Sequence, residues 1–148
     1  MELFDASILA KELISQYVPQ YRFSWNSLKT KYGVCSYSNR TIYLSRHLTP
    51  LRTEAAVRQT IMHEIAHALT PGAGHGMLWK IQMQRFGYKP ERCSSDVVDK
   101  SSISNWKATC PGCAKVVYMV RKPRVVKSCG KCGHGKFNRK YILEFKKI

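Results

Sequence analysis

The sequence predicts an α+β fold in two parts: a mixed helix-and-strand unit over residues 1–98 and a small cysteine-bound ribbon over residues 99–148. Three observations carry this expectation. Apolar residues recur at helical spacing in separate stretches, with short β-type runs between them. Four of the six cysteines fall into two C-x-x-C pairs in the last third of the chain. The charge is uneven, since residues 1–98 hold 12 basic and 7 acidic side chains (+5) and residues 99–148 hold 13 and 2 (+11). With 148 residues and 44% apolar content the chain is long enough to bury a core, which excludes a disordered polyelectrolyte.

In the first part, Asp5 is expected to cap a helix carrying Ile8, Leu9, Leu13 and Tyr17, stopped by Pro19. Residues 22–25, 32–37 and 41–45 read as strands of a small antiparallel meander, the last two joined by a tight turn at Ser38, Asn39 and Arg40. Thr49 and Pro50 are expected to open a long helix that runs through Leu69, with proline at a first-turn position where its missing N–H does no harm. Pro71, Gly72 and Gly74 break that helix. A second follows over about 76–86, with Gly87 as its stop. Residues 94–105, rich in Ser and Asp, look like a linker, and residues 115–120 and 141–145 are β-type runs around the cysteine pairs. There is no internal repeat.

The N-terminal stretch lacks a basic segment followed by an apolar run, and nowhere do about 18 apolar residues follow one another. A soluble protein of the cytoplasm or nucleoid is therefore expected. In a reducing compartment paired C-x-x-C motifs point to metal and not to disulfides. Cys35 and Cys93 are left over as small, partly buried apolar residues.

Within the long helix lies His63-Glu64-Ile65-Ala66-His67. Imidazoles four residues apart stand one turn above each other, so both can reach one ion at about 2.0 to 2.1 Å. Val57, Ile61, Ile65, Ala68 and Leu69 form a stripe on nearly the opposite side of this helix. One side is thereby fitted to a core and the other to a cleft. Glu64 is placed to take a proton from a water activated by the ion. A catalytic zinc takes three protein ligands and keeps a fourth position open. His75, delivered by the Pro- and Gly-rich turn, is the favoured third ligand, with His47, Glu91 and Asp96 as rivals.

The run from His63 to Leu69, followed by His75-Gly76-Met-Leu-Trp79-Lys80, resembles the SprT-like family of zinc metallopeptidases, which includes the Spartan proteases of DNA–protein crosslink repair. Gly33 and Cys35 leading into residues 40–45 look like that family's strand pair, and the four-cysteine ribbon is similar to that of its bacterial members. The resemblance implies a zincin-like protease domain over 1–98, with zinc on His63, His67 and His75 and peptide-bond hydrolysis through Glu64. It also implies that the edge near residues 33–37 receives a substrate protein as an added strand. Tyr37, Tyr43 and Tyr88 are candidates for stabilising the oxyanion. Trp79, Met83 and Phe86, at helical spacing, read as core. The loop of seven residues between His67 and His75 is shorter than in better-known members.

Cys110, Cys113, Cys129 and Cys132 are spaced C-x2-C-x15-C-x2-C, enough for a hairpin to bring two knuckles around one tetrahedral ion. Four thiolates close the coordination sphere, so this second zinc is expected to be structural. Arg121, Lys122, Arg124, Lys127, Lys131, Lys136, Arg139 and Lys140 decorate the ribbon, interleaved with Tyr118, Phe137 and Tyr141. Cations beside aromatics are what non-specific or single-stranded DNA binding uses, phosphates on the charges and bases on the rings. DNA is accordingly the expected partner of the second part.

Overall fold

The structure is a computed structural model that describes all 148 residues. The chain divides into two compact units, Met1–Val98 and Asp99–Ile148. No helix is long and apolar enough to cross a membrane.

The first unit begins with α1 (Leu3–Tyr17). Glu2 stands at the N-cap without a side-chain bond, and Asp5 lies in the first turn, so Asp5 faces the helix dipole and is not the cap expected from sequence. The buried face is Ala6, Leu9, Ala10, Leu13 and Ile14. Ile8 and Tyr17, assigned to that face by spacing, are exposed. The two alanines displaced them because they let α1 approach its neighbours closely, and composition alone gives large residues too much weight.

Three short strands follow: β1 (Arg22–Asn26), β2 (Gly33–Ser36) and β3 (Thr41–Ser45). Their order is β1-β3-β2, with β1 parallel and β2 antiparallel to β3. The expected antiparallel meander is thus corrected to a mixed sheet. The tight turn at residues 37–40, with Arg40 at φ 47°, fixes β2 on one edge of β3, and β1 takes the other edge of β3. β3 is the central strand and its Thr41, Ile42, Leu44 and Ser45 are buried.

Thr49–Leu51 form a single 3-10 turn, and Arg52 is extended. The long helix α2 (Glu54–Leu69) therefore starts later than Thr49 and Pro50 suggested. Thr53 is its cap, its side-chain oxygen accepting from the Ala56 N–H at 3.2 Å. Val57, Ile61, Ile65 and Ala68 pack with α1 and with Ile42 and Leu44 of β3 into one core, while Leu69 is exposed. The helix α3 (Met77–Arg85) begins at the Gly76 cap, and Gly87 follows it at φ 84°. Its Trp79 and Met83 form a second small core with Ala66, and Phe86 packs partly against it. Ser94 and Asp96 are hydrogen-bonded to Arg52, so the start of the expected linker belongs to the first unit.

In the second unit β4 (Trp106–Thr109), β5 (Val116–Met119) and β6 (Lys146–Lys147) form a sheet of order β5-β4-β6, antiparallel throughout. The run at residues 141–145 is not a regular strand. Tyr141 ends a 3-10 turn and Ile142 makes one isolated bridge to Ser128, because the chain there must bend around the second cysteine knuckle.

Candidate functional site

α2 carries His63 and His67 on one face, and the turn after it returns His75 to them. That turn uses Gly72 at φ 79° and Gly74 at φ 55°, conformations that glycine adopts without strain. The three Nε2 atoms lie 3.2, 3.1 and 3.1 Å apart. Three nitrogens this close cannot share protons in every pair. They do match one ion: ligands about 2.05 Å from a tetrahedral zinc stand about 3.3 Å apart. His47, Glu91 and Asp96 are not in this cluster, and neither is any other carboxylate. Burial and the neighbouring imidazoles hold His63 and His67 down to about 4, and burial also lowers His75. All three are therefore neutral, as ligands must be, at ordinary pH.

Trp79 lies beneath the cluster. It is fully buried, its indole N–H donates to the His63 carbonyl at 3.3 Å, and its ring sits 4.7, 5.5 and 4.7 Å from the rings of His63, His67 and His75. Helical spacing marked Trp79 as core, which it is. What spacing missed is that the same ring touches all three imidazoles, two of which lie on another helix.

Glu64, next in sequence to His63, is buried on the side of α2 that faces β2. A Cβ on Gly33 would stand 3.1 Å from the Glu64 side chain and 2.9 Å from Thr60, so only glycine lets β2 lie this close to α2. The closeness allows the Cys35 backbone N–H to donate to the Glu64 carboxylate. Burial pushes the Glu64 carboxyl up to about 7, against the opposing pull of that N–H and of Lys31. Such a group exchanges a proton readily near neutrality. Burial, with Glu64 nearby, also pushes the Cys35 thiol up to about 12, so it stays protonated and inert. Of the tyrosines, Tyr37 donates its hydroxyl to the His67 carbonyl at 3.0 Å. Tyr88 packs in the Trp79 core, and Tyr43 lies on the central strand.

The second cluster is Cys110, Cys113, Cys129 and Cys132. The Sγ atoms of Cys110 and Cys132 are 3.8 Å apart and those of Cys113 and Cys129 3.7 Å. Zinc–sulfur bonds of about 2.3 Å in a tetrahedron require about 3.8 Å. The knuckles are tightened by the Gly112 N–H to Cys110 Sγ (3.3 Å) and the Gly133 N–H to the Cys129 carbonyl (2.9 Å). A Cβ on Gly112 would run into the Tyr141 ring at 2.6 Å.

Arg121, Lys122, Arg124, Lys127, Lys131, Lys136, Arg139 and Lys140 are all exposed. Tyr118 and Phe137 are exposed beside them, whereas Tyr141 packs against the cysteine core. Lys127 and Lys131, with Lys115, also border a hollow floored by Val117, Met119, Leu143 and Phe145. The sequence reading left out Lys115, which the β4–β5 hairpin brings to this rim.

Three imidazoles on a helix and its following turn, with a buried carboxylate next in sequence to the first, form a group that could hold one metal ion. The family model of the SprT-like family matches residues 5–99, and the chain belongs to that family. Among solved structures it is similar to the metallopeptidase zymogen jannalysin of Methanocaldococcus jannaschii. The two share 17% identity over 55% of this chain and 81% of that one, with a TM-score of 0.49. No curated protein matches the chain.

Proposed function

We propose that this chain is a zinc-dependent endopeptidase that works on proteins held on DNA. The observation that carries the peptidase reading is the convergence of the His63, His67 and His75 nitrogens, with the adjoining Glu64 buried and outside that group. Zinc in a three-imidazole site supplies a Lewis acid that polarises a carbonyl and brings the pKa of water toward neutrality. Glu64 takes a proton from the water as its oxygen bonds to the carbonyl carbon and hands that proton to the amine nitrogen as the C–N bond breaks, so that a peptide bond and one water become a carboxylate and a protonated amine. The β2 edge at residues 33–37 receives the substrate backbone as an added strand, and the Tyr37 hydroxyl turns from the His67 carbonyl toward the developing oxyanion.

The DNA half of the reading rests on the +11 balance of residues 99–148 and on the exposure of all eight named cations. Their spread over several turns suits phosphate contacts more than base reading. The test is digestion of a substrate protein by wild type and by Glu64→Gln, each with and without DNA. Glu64→Gln is expected to retain its metal and lose cleavage by about 1000-fold or more, and DNA is expected to accelerate the wild type. Cleavage by Glu64→Gln at the wild-type rate removes the peptidase mechanism. A rate indifferent to DNA removes only the DNA half.

A further inference from the structure

The interior of the first unit holds a guanidinium. The Arg52 side chain is 2% exposed, and a charge at that depth persists only when it is paired and hydrogen-bonded. Its Nε and one terminal nitrogen donate to the two Asp96 oxygens at 2.7 and 2.9 Å, and that same terminal nitrogen reaches Ser94 Oγ at 3.0 Å. The other terminal nitrogen donates to Thr60 Oγ1 at 2.7 Å, and the guanidinium lies 3.8 Å above the centre of the Tyr32 ring.

Two of these partners flank the seat of Glu64. Thr60 is one turn before Glu64 on the same face of α2, and its methyl group is the closest atom to the place a Cβ on Gly33 would occupy. Tyr32 is the residue immediately before Gly33. Arg52 therefore grips both sides of the seam across which the Cys35 N–H meets the Glu64 carboxylate. The group that fixes Arg52 itself comes from the segment after α3.

We infer that Arg52 and Asp96 are positioning residues for Glu64: the segment carrying Ser94 and Asp96 is a strap that orients the buried guanidinium, which in turn sets the packing of β2 on α2 through Tyr32 and Thr60. The inference rests on the reading of Glu64 as the proton carrier. Without the Asp96 carboxylate the guanidinium must turn toward water to be solvated, releasing the Tyr32 ring and the Thr60 hydroxyl together. Lysine cannot replace it, since one ammonium has no planar fork to serve Asp96 and Thr60 at once.

The experiment compares wild type, Asp96→Asn and Asp96→Glu in the full zinc-loaded chain, well below their melting temperatures. It reads zinc content, amide hydrogen exchange at Cys35 and at Ala10 in the α1 core, and kcat and KM on a peptide substrate. Asp96→Asn is expected to keep its zinc and to lose protection at Cys35 by about tenfold more than at Ala10, whose loss reports only the lowered stability of the whole unit. Its kcat is expected to fall by about tenfold at unchanged KM. Asp96→Glu is expected to recover part of both losses. Wild-type exchange at Cys35 in Asp96→Asn overturns the inference. So does an equal loss of protection at Ala10 and Cys35 with kcat per folded molecule unchanged, because that is a purely structural role. Should Asp96→Asn fail to fold, Thr60→Val removes one grip of the guanidinium and must shift Cys35 exchange in the same direction. A wild-type chain without peptidase activity sinks the peptidase reading, and Cys35 exchange still decides whether Asp96 orders the seat.

Discussion

The imidazole cluster of the first unit and the thiolate cluster of the second differ in what lies beneath them. His63 and His67 stand on a helix whose opposite side packs Val57, Ile61, Ile65 and Ala68 against α1 and β3, so the scaffold has an apolar core of its own. In the second unit the buried core residues are Ala108, Cys110, Cys129 and Leu143, and two of those four belong to the cysteine group that could hold an ion. Phe137, Val125 and Val126, which a larger domain would bury, are exposed. One site is mounted on a fold, and the other is the centre of its fold. A ligand set can thus look similar in sequence and still have opposite relations to stability.

The largest expected effect follows from that contrast. Complete chelation of metal from the full chain should unfold residues 99–148 and leave α1, α2 and the first sheet intact, because structural zinc in such ribbons supplies about 10 to 16 kcal/mol of apparent binding energy. Amide resonances resolved by unit would show this directly. A ribbon that kept its chemical-shift dispersion without metal would break the comparison, as would a first unit that melted with it.

His75→Ala sharpens the same contrast from the other side. Total bound metal should fall from about two ions per chain to about one, since removing one of three ligands leaves the first site far too weak to survive purification. The first unit should still fold, because His75 lies on an exposed turn outside either apolar core. Retention of two ions would move the third-ligand role elsewhere.

What could be read from sequence follows the same division. Spacing carries ligand geometry: the H-E-x-x-H on α2, the glycine-hinged return to His75 and the two knuckles all depend on residues close in the chain. Pairing across the sheet does not. The β-type runs of residues 22–25 and 41–45 carry no mark saying that they pair with each other and not each with residues 33–36. The sequence suggested Glu64 as a base but gave no sign of its burial, which depends on Gly33 from another element. Arg52 was silent for the same reason. Its partners at positions 32, 60, 94 and 96 are scattered along the chain and come together only in the fold.

The smallest expected effect concerns acid and tests whether the first unit carries its own electrostatic support. The Arg52 hydrogen bonds hold the Asp96 carboxyl down to about 2, below its ordinary 3.8. A carboxyl whose pKa is depressed by folding adds stability that is fully present above the unfolded value and is lost as pH falls through the folded one. The pair's contribution should therefore be constant at neutral pH, decline below about pH 4 and be gone under about pH 2, and with Asp96 about a quarter exposed it should amount to about 1 to 2 kcal/mol. Asp96→Asn removes this contribution at every pH. The stability gap between wild type and Asp96→Asn, read by urea unfolding of the first unit, should accordingly close as pH drops from 4 toward 2. The ribbon is expected to respond to acid by a different route, since protonating the thiolates of a zinc-loaded four-cysteine site would release the metal. A gap that stays constant down to pH 2 would mean that Asp96 stabilises the unit by packing and not by charge.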